Sequence, residues 1–177
     1  MENGEYITFL IVGAVLVLLA LFCRPKGRHE RYQARAKALL EILRSGNMRP
    51  GQAMAYLRKV NPYVFEEAVL DGFRRKGFGI TRNRSYSGDG GIDGRVSLKG
   101  KEYLVQCKRY KNHIDRRHVE DFSRICLRDG VEGYFVHTGK TGKGAREQAD
   151  LWGNVFIISG QRLLELLGYK DPSEQEQ

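Results

Sequence analysis

The sequence predicts an α/β domain built on a mixed sheet and carried behind one membrane-spanning helix. Three observations predict it. Residues 6–23 read YITFLIVGAVLVLLALFC, a run without a charge. Residues 92–98 and 102–109 read as strands around Lys99-Gly100, a two-residue hairpin turn. Beyond the hairpin, helical segments alternate with apolar strand-like segments as far as residue 167, the pattern of a sheet joined by crossover helices.

The first run is eighteen residues long, just enough to cross a bilayer as a helix with every backbone polar group satisfied inside it. Glu2 and Glu5 precede it; Arg24, Lys26, Arg28 and Arg31 follow. The excess of basic residues behind the run puts the N-terminus outside and the rest of the chain in the cytoplasm. The expected location is therefore a bacterial inner membrane, spanned once. A cleaved signal peptide would start basic and end on small residues, whereas this segment starts acidic and ends on Leu21-Phe22-Cys23. The expected division is an anchor (1–23), a basic helical connector (24–61), a main domain (62–169) and a disordered tail (170–177).

In the connector, Ala34, Ala38, Leu39, Ile42 and Leu43 recur at helical spacing over residues 29–44. Ser45-Gly46-Asn47 ends that helix, Arg49-Pro50-Gly51 turns, and residues 52–60 form a second helix. The pair serves as a lead-in or as a spacer from the membrane. Asn61-Pro62 opens the helix 62–76, with Phe65, Val69, Gly72 and Phe73 on one face. A strand near residues 79–83 leads to the glycine-rich bend Gly88-Asp89-Gly90-Gly91-Ile92-Asp93-Gly94, and then to the hairpin. Asp115 caps a helix reaching residue 128, with Val119, Phe122 and Ile125 inward. Residues 131–138 form a strand and 144–152 a helix with Trp152 in the core. Residues 154–159 form a buried strand, and 161–167 the last helix.

Of 177 residues, 30 are Lys or Arg and 21 Asp or Glu, a net charge of +9. That balance favours polyanionic partners, nucleic acid or an anionic membrane surface. The three cysteines, Cys23, Cys107 and Cys126, form no CxxC pair, which argues against a structural zinc site. Gly139-Lys140-Thr141 is no phosphate-binding P-loop, because Tyr134 stands where that motif requires glycine. His113 and His118 lack ligand partners at diagnostic spacing and read as a solvated helix start.

The turn at Lys99-Gly100 places Leu98 opposite Lys101 and, continued along both strands, Asp93 opposite Gln106. Strand alternation adds Lys108 to that side and sends Tyr103, Val105 and Cys107 to the core. A one-residue slip would scatter the trio. A carboxylate, an amide oxygen and a strand carbonyl are hard donors suited to Mg2+ or Mn2+. Lys108 would hold or acidify an attacking water and stabilise charge developing on phosphorus. The bland alternative is a surface aspartate beside a solvated lysine. Arg109, Lys111, Lys140, Lys143 and Arg146 suit contacts to a DNA backbone, the last three around a helix N-terminus.

Phe65-Glu66, Gly88-Asp89-Gly90-Gly91-Ile92-Asp93, Val105-Gln106-Cys107-Lys108-Arg109-Tyr110, and Val136-His137-Thr138 ahead of Ala145 resemble the Mrr-like restriction endonucleases. These form the QxK branch of the PD-(D/E)xK nuclease superfamily. The resemblance covers roughly residues 62–168. It implies a restriction-endonuclease-like mixed central sheet flanked by helices, and a Mg2+- or Mn2+-dependent DNA endonuclease. Its catalytic residues would be Asp93, Gln106, Lys108 and Glu66, with Asp93, Gln106 and Glu66 on the metal and Glu67 a weaker substitute for Glu66. Restriction of foreign or modified DNA is the expected role. The alternatives are a non-catalytic module that binds or tethers DNA at the membrane, and a structure-selective junction nuclease. Cutting both strands takes two active sites, so a homodimer is expected. No separate DNA-reading motif accompanies the domain.

Overall fold

Helices and strands follow one another in the expected order. They are α1 (Arg28–Arg44), α2 (Pro50–Leu57), α3 (Pro62–Arg75), β1 (Gly79–Arg82), β2 (Gly94–Leu98), β3 (Lys101–Lys108), α4 (Arg116–Asp129), β4 (Glu132–His137), α5 (Lys143–Trp152), β5 (Val155–Ile158) and α6 (Gln161–Leu167). The structure, a computed structural model, describes residues 27–83 and 91–174. The expected membrane span at residues 6–23 and the Gly88-Asp89-Gly90 part of the bend lie outside the described residues. Among those described, no helix is long and apolar enough to cross a membrane.

The helix starts follow local chemistry. Asn61 Oδ1 accepts from Tyr63 N at 3.0 Å and Pro62 takes the first position of α3. Asp115 Oδ1 accepts from Arg117 N at 2.9 Å at the head of α4. Helix α2 starts at Pro50, so the expected Arg49-Pro50-Gly51 turn is instead its first turn, where a missing N–H costs nothing.

The sheet has the order β1-β2-β3-β4-β5. The first two pairings are antiparallel and the last two parallel. Lys99 and Gly100 have φ of 50° and 80°, as a tight hairpin turn demands. The register runs from Leu98↔Lys101 to Gly94↔Val105, as expected. Parallel pairing then sets Lys108 beside His137 at the C-terminal ends of β3 and β4.

Both faces of the sheet are covered. On one, Leu40 and Leu43 of α1, Leu57 of α2, Phe65 and Val69 of α3 and Leu163 of α6 pack on Val96 and Val105. On the other, Val119 and Phe122 of α4 and Ala145 and Ala149 of α5 pack on Leu104 and Phe135. Consecutive residues of β3, Leu104 and Val105, are each fully buried, one on each side. Tyr103, Val105 and Cys107 do face a core, but the opposite side of the strand is covered too.

Several expectations are corrected. Helix α1 buries Ala36, Leu39, Leu40 and Leu43, whereas Ala34, Ala38 and Ile42 are exposed. The buried set is the complete i, i+3, i+4, i+7 stripe, and Leu40 wins the place expected for Ile42. From Tyr32 onward the chain forms one compact unit. Helices α1 and α2 are therefore part of the domain core and not a spacer. Strand β5, expected to be buried, buries Val155 and Ile157 but is the outer strand, with Phe156 44% exposed. Trp152, expected in the core, is 36% exposed where α5 ends. The tail, expected without structure, begins with a 3-10 turn at Pro172–Glu174.

Candidate active site

The hairpin register holds as far as Gly94 and then breaks. Gly94 is the partner of Val105, yet Asp93 N also donates to Val105 O at 2.9 Å. Two residues facing one is a bulge, which re-aims a side chain. Asp93 is thereby turned away from the expected pairing with Gln106. Its Oδ2 accepts from Cys107 N at 2.6 Å, on the side of the sheet that α3 covers. Gln106 points the other way, and its Nε2 donates to Gly91 O at 2.6 Å. The expected common face of Asp93, Gln106 and Lys108 is not formed in that way.

Gln106 instead braces the bend. Asn83 Nδ2 donates to Ile92 O, so the two carbonyls that precede Asp93 are each held by an amide side chain. Gly91 has φ 88°, and a Cβ there would lie 2.7 Å from Gln106 Nε2. Both the backbone conformation and the close approach require glycine.

Asp93, Lys108 and Glu66 of α3 meet in a cavity of about 230 Å³, completed by Pro62, Phe65, Cys107 and Arg109. Glu66 has no hydrogen-bond or ion-pair partner among the described residues. Burial, then the Asp93 and Glu67 carboxylates, push its carboxyl up to about 8 against the pull of Lys108 and Arg109. Burial likewise raises Asp93 to about 6, opposed by the Cys107 N–H and by Lys108. Glu67 is engaged elsewhere: Arg82 Nε lies 2.7 Å from its Oε2, and Arg82 Nη2 reaches Asp71 at 3.4 Å. Two half-buried carboxylates that resist ionisation, with hard oxygens on one cavity, form a donor set that fits a divalent cation. Among the described residues no group of three or more His, Cys, Asp and Glu assembles. The protein's share of any coordination would thus be small, and Mg2+ commonly keeps several waters.

The basic residues separate. Arg109 is turned to the chain before α3, where its Nη1 donates to Arg58 O at 3.3 Å and to Val60 O. Arg58 Nε donates to Thr138 O at 3.1 Å, and Thr138 N to Lys108 O at 3.2 Å. The joint between α2 and α3 is thus tied to the ends of β3 and β4. Lys111 and Lys140 are exposed on two segments joined by Lys140 N to Asn112 O at 2.9 Å and Ile114 N to Lys140 O at 3.1 Å. Lys143 lies 3.6 Å from Glu147 on its own helix. Arg146 lines a separate groove beside β5. His113 forms an isolated bridge with Lys140, and His118 Nδ1 lies 2.5 Å from the Tyr110 hydroxyl.

Sequence reasoning gave no role to a second set of residues around the site, although His137 and Thr138 stand in the quoted motif. His137 is wholly buried, and burial lowers it to about 4. Its Nδ1 accepts from Gly139 N at 3.1 Å, so its Nε2–H faces Thr141 Oγ1 at 3.1 Å. Thr141 in turn meets Ser159 Oγ at 2.9 Å. The chain of contacts fixes the loop between β4 and α5. Asn83 and Arg58 were invisible, because each acts over a long sequence separation that leaves no periodic signal.

A family profile described as restriction endonuclease, Mrr_cat, matches residues 57–167. The chain belongs to this restriction endonuclease family. The match spans Glu66, Asp93, Gln106 and Lys108, and it starts at the end of α2, leaving α1 outside. The type IV methyl-directed restriction enzyme EcoKMrr of Escherichia coli (strain K12) is 31% identical over 124 residues. That alignment takes in 66% of this chain and 41% of EcoKMrr, so the chain spans less than half the length of this relative. The MspJI restriction endonuclease in complex with a 27-mer oligonucleotide is 20% identical with TM-score 0.42, covering 80% of this chain and 32% of that one. Restriction endonuclease FokI is 13% identical with TM-score 0.41, covering 86% and 33%. At those scores the fold rests on the strand order and register observed in this member of the family.

Proposed function

We propose that the chain is a divalent-metal-dependent DNA endonuclease of restriction type, held at the inner face of a bacterial membrane by residues 6–23. The observation that carries the chemistry is the cavity in which Glu66 and Asp93 stand beside Lys108 with no ion pair to any of the described residues. Glu66 and Asp93 would hold the ion. Gln106, the further ligand that the motif implies, is occupied through its Nε2 with Gly91. When bound, Mg2+ or Mn2+ supplies Lewis-acid polarisation of a phosphate oxygen and a more acidic water.

The chain's own residues do the rest. The Cys107 N–H holds Asp93 Oδ2 and fixes the carboxylate. Asn83 and Gln106 fix the backbone that delivers it. Lys108, on the same cavity, places a positive charge where the phosphorane forms. Phe65 and Pro62 give one wall an apolar surface that limits water. Lys111 and Lys140 are exposed beyond the cavity and suit phosphates flanking the cut. Methyl-directed cutting by the EcoKMrr relative, and the match of the family, support modified or foreign DNA as substrate.

The test is plasmid relaxation and linearisation by the 177-residue chain in detergent, with Mg2+, Mn2+ or chelator. Cleavage that needs the ion and disappears in Asp93→Ala and Lys108→Ala is expected. Equal behaviour of wild type and both variants sinks the enzymatic reading. DNA retention without cleavage under either ion would favour a tethering module instead. For the anchor, carbonate washing of membranes should leave the chain in the pellet, and release into the wash would refute it.

A further inference from the structure

We propose that β5 is the seam of a homodimer, with the partner's β5 added antiparallel across a two-fold axis normal to the sheet. This does not rest on the nuclease reading. Strand β5 is an edge, and among the described residues nothing pairs with its outer side. Exposed edges are normally blunted with lysine, proline, a bulge or a charge. Here the edge reads Val155-Phe156-Ile157-Ile158 with none of these. The opposite edge, β1, ends on Arg82, which is fixed in the Glu67–Asp71 ion pairs.

A groove of about 430 Å³ runs beside β5. Its walls include Arg146 and Asp150 from α5, and Arg162 from α6. All three are exposed, and none has an ion-pair partner among the described residues. Arg146 and Asp150 stand one helical turn apart with opposite charge. A two-fold normal to the sheet keeps each face on its own side and runs the two copies of α5 antiparallel. Arg146 then meets the partner's Asp150, and Asp150 the partner's Arg146, the self-matching pattern an isologous interface needs. On the other face, Phe156 packs at a tilt against Tyr134, ring centroids 5.5 Å apart, while remaining 44% exposed. Arg162 lines the same groove as Phe156. Leu151 and Trp152, 79% and 36% exposed, end α5 on the first face. A second copy fits better than nucleic acid, because Asp150 sets a carboxylate in the groove where a phosphate would run.

The test is the mass of the chain in detergent micelles by sedimentation, over a concentration series. Wild type is expected to dimerise. R146D and D150R should each weaken the dimer by about tenfold or more, and F156D should leave monomer with unchanged circular dichroism. Mixing R146D with D150R restores both cross-seam pairs and should return the dimer, as should the double swap R146D/D150R. The N-terminal apolar segment cannot produce that pattern. A monomer at every concentration, a dimer indifferent to either single swap, or failure of the mixture to associate would each overturn the proposal. So would a loss of DNA retention in R146D with the mass unchanged, which would give the groove to nucleic acid.

Discussion

Glu66 and Glu67 are neighbours on one helix and have opposite fates. Glu67 is almost fully buried and held by Arg82 at 2.7 Å, with Asp71 and Arg74 completing a charge-balanced cluster. Glu66 looks into the cavity beside Asp93 with no such partner among the described residues, and its carboxyl is pushed up to about 8. A buried carboxylate that serves the fold is neutralised within the fold. One that is left bare beside another carboxylate is a cost to the folded chain, and it persists where an external cation relieves it. The difference lets structure and chemistry be assigned to adjacent residues.

The sharpest way to break the comparison is to neutralise the bare member. Glu66→Gln should lower metal-dependent cleavage by about 10²–10³-fold, the scale of a lost transition-state contact, while thermal stability at pH 8 holds or rises. A drop in stability with normal cleavage would reverse the assignment. Glu67→Ala should do the opposite. Leaving Arg82 with Asp71 alone should cost about 3 kcal/mol, the low end for a broken buried pair, read as the urea midpoint. Gly91→Ala tests the bend on which Asp93 depends. Forcing a side chain to φ 88° against Gln106 should add about 1–2 kcal/mol of strain. Cleavage should fall roughly tenfold if that strain appears in the reaction barrier, and unchanged cleavage would show that the brace is dispensable.

The smallest effect is in pH. Glu66 and Asp93 hold protons in the folded chain that the unfolded chain has released, because their folded values, about 8 and about 6, lie above the ordinary 4.5 and 3.8. Their contribution to metal-free stability is therefore complete below about pH 4 and declines as pH rises towards 8. A divalent ion binds the ionised pair, so Mg2+ should raise the melting temperature by a few degrees more at pH 8.5 than at pH 6. Equal shifts at both pH values would remove the pair as the ion's site.

Much of this was legible in the sequence because it is local. The Lys99-Gly100 turn fixed the hairpin register, the Asn61 and Asp115 caps set two helix starts, and the motif residues Glu66, Asp93 and Lys108 share one cavity. What escaped is non-local. The bulge at Asp93 adds a residue without altering the alternation on either side, so the pairing with Gln106 looked sound. The inward face of α1 depends on α3 and α6, which a periodicity cannot name. A run of four apolar residues in β5 reads the same at a sheet centre and at an edge, since only the neighbouring strands differ.

The stripe Ala36-Leu39-Leu40-Leu43 has a consequence for how this family is cut and recombined. The family profile match begins at residue 57, but the hydrophobic core begins about two helices earlier. A gene fragment trimmed to the matched residues would leave α3 and α6 with a bare apolar flank, and it should be recovered as aggregate or bound to chaperone. In this chain the folding unit is longer than the matched one. Any transplant of the cutting module has to carry its own lid of two helices.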